Sequence, residues 1–62
     1  MQDGGELQAV GAGLEELLRR VTALVERQVG APRDDELELV AIERGLQSTL
    51  RRVQRLTARA LR

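Results

Sequence analysis

The sequence predicts an all-α fold, an antiparallel two-helix hairpin that completes a four-helix bundle as a homodimer. Apolar residues recur every three or four positions in two segments, which is the spacing of one helix face. The only proline, Pro32, separates the two segments. Acidic residues predominate at the start of the chain and arginines at its end, so a reversal near Pro32 brings opposite charges together.

The first helix is predicted over residues 7–29. Its apolar residues alternate three- and four-residue spacings, as the a and d positions of a coiled-coil heptad do: Leu7, Val10, Leu14, Leu17, Val21 and Leu24. Glu15 precedes Arg19 by four residues, and Glu16 precedes Arg20 in the same way, which favours ion pairs along the helix. Asp3 and Glu6 have the spacing of a capping box. Each glycine costs up to ~1 kcal/mol inside a helix, however, and because four glycines precede Leu14 we expect residues 1–6 to be frayed.

A turn is predicted over residues 30–34 and a second helix over residues 35–61. Gly30 suits the left-handed end of a helix, and Pro32 prevents its continuation. Asp34 or Asp35 then caps the second helix. The apolar residues of that helix are Leu39, Ile42, Leu46, Leu50, Val53 and Leu56. The spacing of these residues departs from a strict heptad. Gly45 lies at the edge of the stripe and could admit a closely packed helix. We expect no tandem repeat in the sequence.

The length and composition point to association with another chain. A sequence of 62 residues forms one domain, here 1–62, and small domains bury a low fraction of their surface. Disulfides and zinc usually compensate in small folds, but the sequence has neither Cys nor His. We therefore expect the twelve apolar residues of the two stripes to form an interface in a homo-oligomer, with a two-fold dimer favoured.

The residue types also argue against catalysis. The chain lacks His, Cys, Lys and Tyr, which supply most general bases and nucleophiles, and two helices alone offer no enclosed site for the carboxylates. We therefore predict no enzyme, no cofactor and no metal. The predicted function is a small interaction or assembly module that self-associates and organises a partner protein. One alternative is that the chain is half of an obligate helical hetero-complex.

A second alternative depends on arginines of the second helix. At ~100° per residue, five of them share one arc opposite the apolar stripe and form what we call the arginine ladder: Arg44, Arg51, Arg55, Arg59 and Arg62. Guanidinium groups in a line suit the phosphates of RNA or DNA, so the chain could be a small nucleic-acid-binding regulator. Zero net charge and the lack of aromatic residues argue against this function, and a solvated helix face is the favoured explanation of the ladder.

The sequence indicates a soluble protein. No run of 18 apolar residues is present, and the first residues do not resemble a signal peptide. We therefore expect a cytoplasmic location and no membrane span.

Overall fold

The computed structural model describes residues 3–28 and 33–62 and contains two α-helices packed side by side. Helix α1 spans Gly4–Arg27, and helix α2 spans Arg33–Ala60. Gly4 lies against Leu61, so the start of α1 meets the end of α2. The predicted all-α hairpin is confirmed, whereas its pairing into a four-helix bundle stays a prediction.

Helix α1 begins three residues before the predicted start. The Leu7 amide donates to the Asp3 carbonyl at 2.9 Å, which closes the first turn. The Asp3 side chain makes no capping hydrogen bond, so the predicted capping box does not form. Gly4 is buried, and a Cβ at this position would overlap the end of the Leu61 side chain. Packing against α2 therefore stabilises the first turn of α1, although the glycines in that turn favour fraying.

Helix α2 also begins earlier than predicted. Asp34 and Asp35 lie within its first turn together with Glu36 and do not precede it as caps. Carboxylates in the first turn still stabilise the helix, because they face the positive end of its dipole. The predicted helix end at Gly30 and the stop at Pro32 lie outside the described residues.

The two helices form a thin layer with a narrow core. Its principal extents are 46 × 14 × 11 Å, and its radius of gyration is 14.3 Å. A compact domain of this length has a radius of gyration of about 10.6 Å. Among the described residues, Leu50 is the one large apolar side chain that is buried, with 9% of its surface exposed. The other large apolar side chains of the described residues therefore keep part of their surface exposed.

Candidate interaction surface

The structure divides the twelve predicted interface residues into two groups. Those between the helices are buried or half-buried: Leu7, Leu14, Val21, Leu39, Leu46, Leu50, Val53 and Leu56. Four others remain exposed, namely Val10 (44%), Leu17 (47%), Leu24 (39%) and Ile42 (44%). The apolar stripe of each helix is therefore wider than the contact between the helices, because part of each stripe faces solvent.

Four of the six exposed large apolar residues, Val10, Leu17, Leu24 and Ile42, line up along one side of the hairpin, whereas Leu37 and Leu61 lie outside this row. Val10, Leu17 and Leu24 recur every seven residues on α1, and Ile42, Thr49 and Leu56 do so on α2. We call these six residues the apolar face.

Two contacts define the register between the helices: Thr22 hydrogen-bonds to Glu43, and a Cβ on Gly11 would lie 3.7 Å from Val53.

This register places three pairs of the apolar face at the same levels: Leu24 with Ile42, Leu17 with Thr49, and Val10 with Leu56. From Val10 to Leu24 the face is ~21 Å long, at ~1.5 Å per residue. Thr49 is exposed and Leu56 half-buried. The apolar face therefore consists of three layers, each with one residue from either helix and seven residues from the next along the chain.

The other side of the hairpin is polar and is joined by side-chain hydrogen bonds. The Thr22 hydroxyl donates to Glu43 Oε2 at 2.7 Å, and Gln54 Nε2 donates to Glu15 Oε1 at 3.5 Å. At ~100° per residue, the half-buried Leu18 lies between Glu15 on one side of α1 and the apolar face on the other. We call Glu15, Thr22, Glu43 and Gln54 the bridged face.

Ion pairs contribute little between the helices. Over residues 3–28 and 33–62, the one ion pair joins Arg19 to Glu16 within α1, with Arg19 Nε 3.2 Å from Glu16 Oε2. This pair spans three residues, so the predicted four-residue pairs of Glu15 and Glu16 with the arginines do not form. The sorted charges predicted a reversal of the chain, but the described contacts between helices are hydrogen bonds and apolar packing.

The arginine ladder is open to solvent. All five members, Arg44, Arg51, Arg55, Arg59 and Arg62, are exposed. Three of them, Arg55, Arg59 and Arg62, line a shallow groove with Ala58 near the end of α2. In the part of the chain that the structure describes, no ladder arginine lies in an ion pair. The ladder is therefore available to an anionic partner.

Several contact residues were missed by reasoning from the sequence. Gly4 and Gly11 are buried against α2, and Thr22 and Gln54 make the hydrogen bonds of the bridged face. Gly11 had a signal, since it lies four residues after Leu7 and within the stripe. Nothing in the sequence indicated the contacts of Thr22 and Gln54, because their partners depend on the register between the helices.

No protein-family model matches the chain, and neither a curated protein nor a solved structure matches it. Among the helical residues that the structure describes, no segment combines the length and hydropathy needed to cross a bilayer. Over the same residues, no three acidic side chains converge in a geometry that could hold a metal ion. The apolar face and the arginine ladder are therefore the two surface features from which a function can be inferred.

Proposed function

We propose that the chain is a small, non-enzymatic helical interaction module that self-associates through the apolar face and presents its outer surface to a partner protein. The observation that carries this proposal is the uncovered row of Val10, Leu17 and Leu24 beside Ile42. Contiguous apolar surface of this kind marks interaction sites on soluble proteins. A partner that covers this row would bury it on one side of the hairpin and leave the ladder arginines Arg44, Arg51, Arg55 and Arg62 exposed.

The area of the chain supports a partner of its own size. It exposes 4799 Å² of accessible surface, whereas a compact protein of 6.9 kDa exposes about 4,000 Å². The excess of about 800 Å² matches what each partner buries in an interface of standard size. A second copy would supply a matching apolar face of equal length, which favours a homodimer over a small ligand.

Sedimentation equilibrium at low to high micromolar concentration, with helicity followed by circular dichroism, tests the proposal. We expect a discrete, highly helical dimer. A stable helical monomer at high concentration would contradict self-association. A monomer with weak helicity would instead support the alternative of an obligate hetero-complex, because the core would then need a different chain.

A nucleic-acid-binding regulator is the second candidate, and the exposed arginine ladder favours it. Because its guanidinium groups are free of ion pairs in the described structure, they could contact successive phosphates. Binding of RNA or DNA should weaken steeply with salt, and the triple variant Arg44→Gln, Arg51→Gln, Arg55→Gln should bind at least tenfold more weakly. The matched variant Arg19→Gln, Arg20→Gln, Arg33→Gln removes equal charge outside the ladder and should bind nearly as the wild type does. Equal losses in both variants would contradict a site on the ladder.

The proposed module needs no cofactor and no catalytic residue. Its cytoplasmic location and its lack of enzymatic activity stay predictions. Both follow from the sequence, and neither is required for the association experiment.

A further inference from the structure

The two helices carry related sequences, which overturns the expectation that the chain has no tandem repeat. When residues 3–28 are aligned with residues 35–60, twelve of the 26 positions are identical. Both segments contain Gly-Leu, three variable residues and then Leu-Arg-Arg-Val, at residues 13–21 and 45–53. The identical pairs, each 32 residues apart, are Asp3/Asp35, Glu6/Glu38, Leu7/Leu39, Ala9/Ala41, Gly13/Gly45, Leu14/Leu46, Leu18/Leu50, Arg19/Arg51, Arg20/Arg52, Val21/Val53, Leu24/Leu56 and Arg27/Arg59.

A shared heptad pattern does not explain this identity. Amphipathic helices agree at their apolar positions in general, but only by residue class. Here the agreement includes an exposed glycine, Gly13 with Gly45, and three pairs of exposed arginines such as Arg20 with Arg52. Nothing in the core of the hairpin demands those residues. The two segments therefore form an imperfect internal repeat.

The packing gives the repeat a geometric meaning. Leu17 and Thr49 are equivalent in the repeat, and the register places them at the same level of the antiparallel pair. An axis between them, normal to the layer of helices, therefore exchanges α1 with α2 and maps the apolar face onto itself. The rotation exchanges Val10 with Ile42 and Leu24 with Leu56, which are all aliphatic. Only the central exchange, of Leu17 with Thr49, joins residues of different type.

Charged residues at the corners of the apolar face follow the same symmetry. At ~100° per residue, Glu6 and Glu38 fall in line with the apolar rows at two diagonal corners, and Arg27 and Arg59 lie ~60° outside those rows at the other two; all four are exposed. Arg27 Nε donates to the Ala23 carbonyl at 3.4 Å, which leaves its two Nη groups available. Each end of the face thus carries one acid and one arginine. A second copy turned over by a two-fold axis in the interface meets every acid with an arginine.

Glycines at the edge of the apolar face also form an equivalent pair. A Cβ on Gly13 or on Gly45 would meet nothing within 4 Å in the single chain. Glycine destabilises a helix relative to alanine, so its presence at both equivalent positions has no explanation within one hairpin. Within the hairpin, Gly11 lies against Val53. Gly13 and Gly45 could admit a second copy closely in the same way.

We infer that the occupant of the apolar face is a second copy of this chain, bound about a two-fold axis perpendicular to the helices, so that α1 packs on α1 and α2 on α2 with their turns at opposite ends. This inference rests on the proposed self-association. It goes further, because it assigns the layers Leu17 on Leu17 and Thr49 on Thr49 at the centre. It also pairs Glu6 with Arg27 and Glu38 with Arg59 between copies.

The central layer selects this arrangement over its alternative. Packing α1 on α2 of the second copy would pair the corner charges equally well, because the repeat makes the two helices equivalent. It would, however, bury each Leu17 against the hydroxyl of Thr49. Packing like on like instead joins two leucines and lets two threonine hydroxyls hydrogen-bond to each other, so no polar group is left unpaired.

Single cysteine substitutions test the arrangement, since the native chain has no cysteine. The full-length variants Leu17→Cys and Thr49→Cys are oxidised mildly or treated with a short bis-maleimide, each alone and then as a mixture. We expect each variant alone to cross-link to itself, because both positions lie on the two-fold axis. Ala12→Cys, exposed and outside the apolar face, is the control and should not cross-link.

The outcomes separate this inference from the proposed function. Cross-linking in the mixture alone would overturn the like-on-like arrangement and leave self-association standing. If no cross-link forms with either variant alone or with the mixture, although sedimentation shows the reduced proteins to be dimers, the apolar face is not the interface. If the wild type itself sediments as a monomer, the proposed function fails and the inference fails with it.

Discussion

The bridged face and the apolar face are the two sides of one hairpin, and they differ in what the single chain provides for them. On the bridged face, Thr22 and Gln54 donate to carboxylates of the opposite helix, at 2.7 and 3.5 Å. On the apolar face, Leu17 and Ile42 are exposed at 47% and 44%. Polar groups at an exposed edge are satisfied by one partner or by water, whereas aliphatic side chains there gain only from being covered. The single chain therefore satisfies the polar groups of its bridged face and leaves the apolar face uncovered.

A charge at the centre of the apolar face should have the largest effect. Leu17→Glu would place two carboxylates in the middle of the dimer, where they lack partners, so we expect the dimer dissociation constant to rise at least about a hundredfold. Sedimentation equilibrium measures the change. Ala12→Glu, outside the apolar face, should leave the dissociation constant within about threefold of the wild type. Equal weakening by both variants would remove the distinction between the two sides.

Replacing the one polar member of the apolar face by an aliphatic residue should strengthen association. Thr49→Leu makes the central position of α2 match Leu17 on α1 and buries two more aliphatic side chains per dimer, so we expect association to tighten about ten- to a hundredfold. Titration by sedimentation or by dilution calorimetry measures it. Unchanged affinity would show that Thr49 stays in water in the dimer. The matched change on the bridged side, Gln54→Leu, should not tighten association.

A substitution on the bridged face should act on the fold and not on association. Thr22→Val keeps the shape but removes the donor to the half-buried Glu43, so we expect the free energy of unfolding to fall by about 1 kcal/mol. Urea denaturation at fixed chain concentration measures the loss. Thr57→Val is the matched control, because the Thr57 hydroxyl donates at 2.7 Å to the Val53 carbonyl of its own helix. The interpretation fails if Thr57→Val costs as much as Thr22→Val.

Alanine at the open glycines should have the smallest effect and probes the edge of the apolar face. Gly5→Ala adds a methyl group that meets nothing in the chain, so we expect a gain of up to ~1 kcal/mol in helix stability. Gly13→Ala should give a smaller gain, or weaken association, because a second copy lies close to it in the inferred dimer. Thermal unfolding of both variants makes the comparison. Equal stabilisation would place Gly13 in solvent in the dimer.

The sequence predicted the presence of the two helices better than it predicted the residues at which they begin. The spacing of Leu14, Leu17 and Val21 predicted α1, because the periodicity of apolar residues shows which side of a helix is apolar. The glycines before Leu7 predicted fraying, yet helix α1 includes Gly4 because Leu61 packs over it. Propensity is a local quantity, and a contact with a residue at the other end of the chain outweighs it.

For the candidate site, the apolar residues were predicted but not their division into two sides. Val10 and Leu14 look alike in a heptad, and only the packing of α2 shows that Leu14 is half-buried while Val10 remains exposed. The arginine ladder was predicted as an exposed row and is one. The repeat was present in the sequence and missed, since comparing apolar spacings hides the identity of Arg20 with Arg52 and of Gly13 with Gly45.

The sequence by itself determined that this protein is helical, that it folds back on itself, and that its two helices form an imperfect repeat. These properties depend on periodicity, on the break at Pro32 and on residue identity, all of which are local or can be read by alignment. Only the tertiary structure decided the register that joins Thr22 to Glu43 and exposes Leu17 while burying Leu50. The physical reason is that each helix has an apolar arc wider than one neighbour can cover, so burial depends on where that neighbour packs.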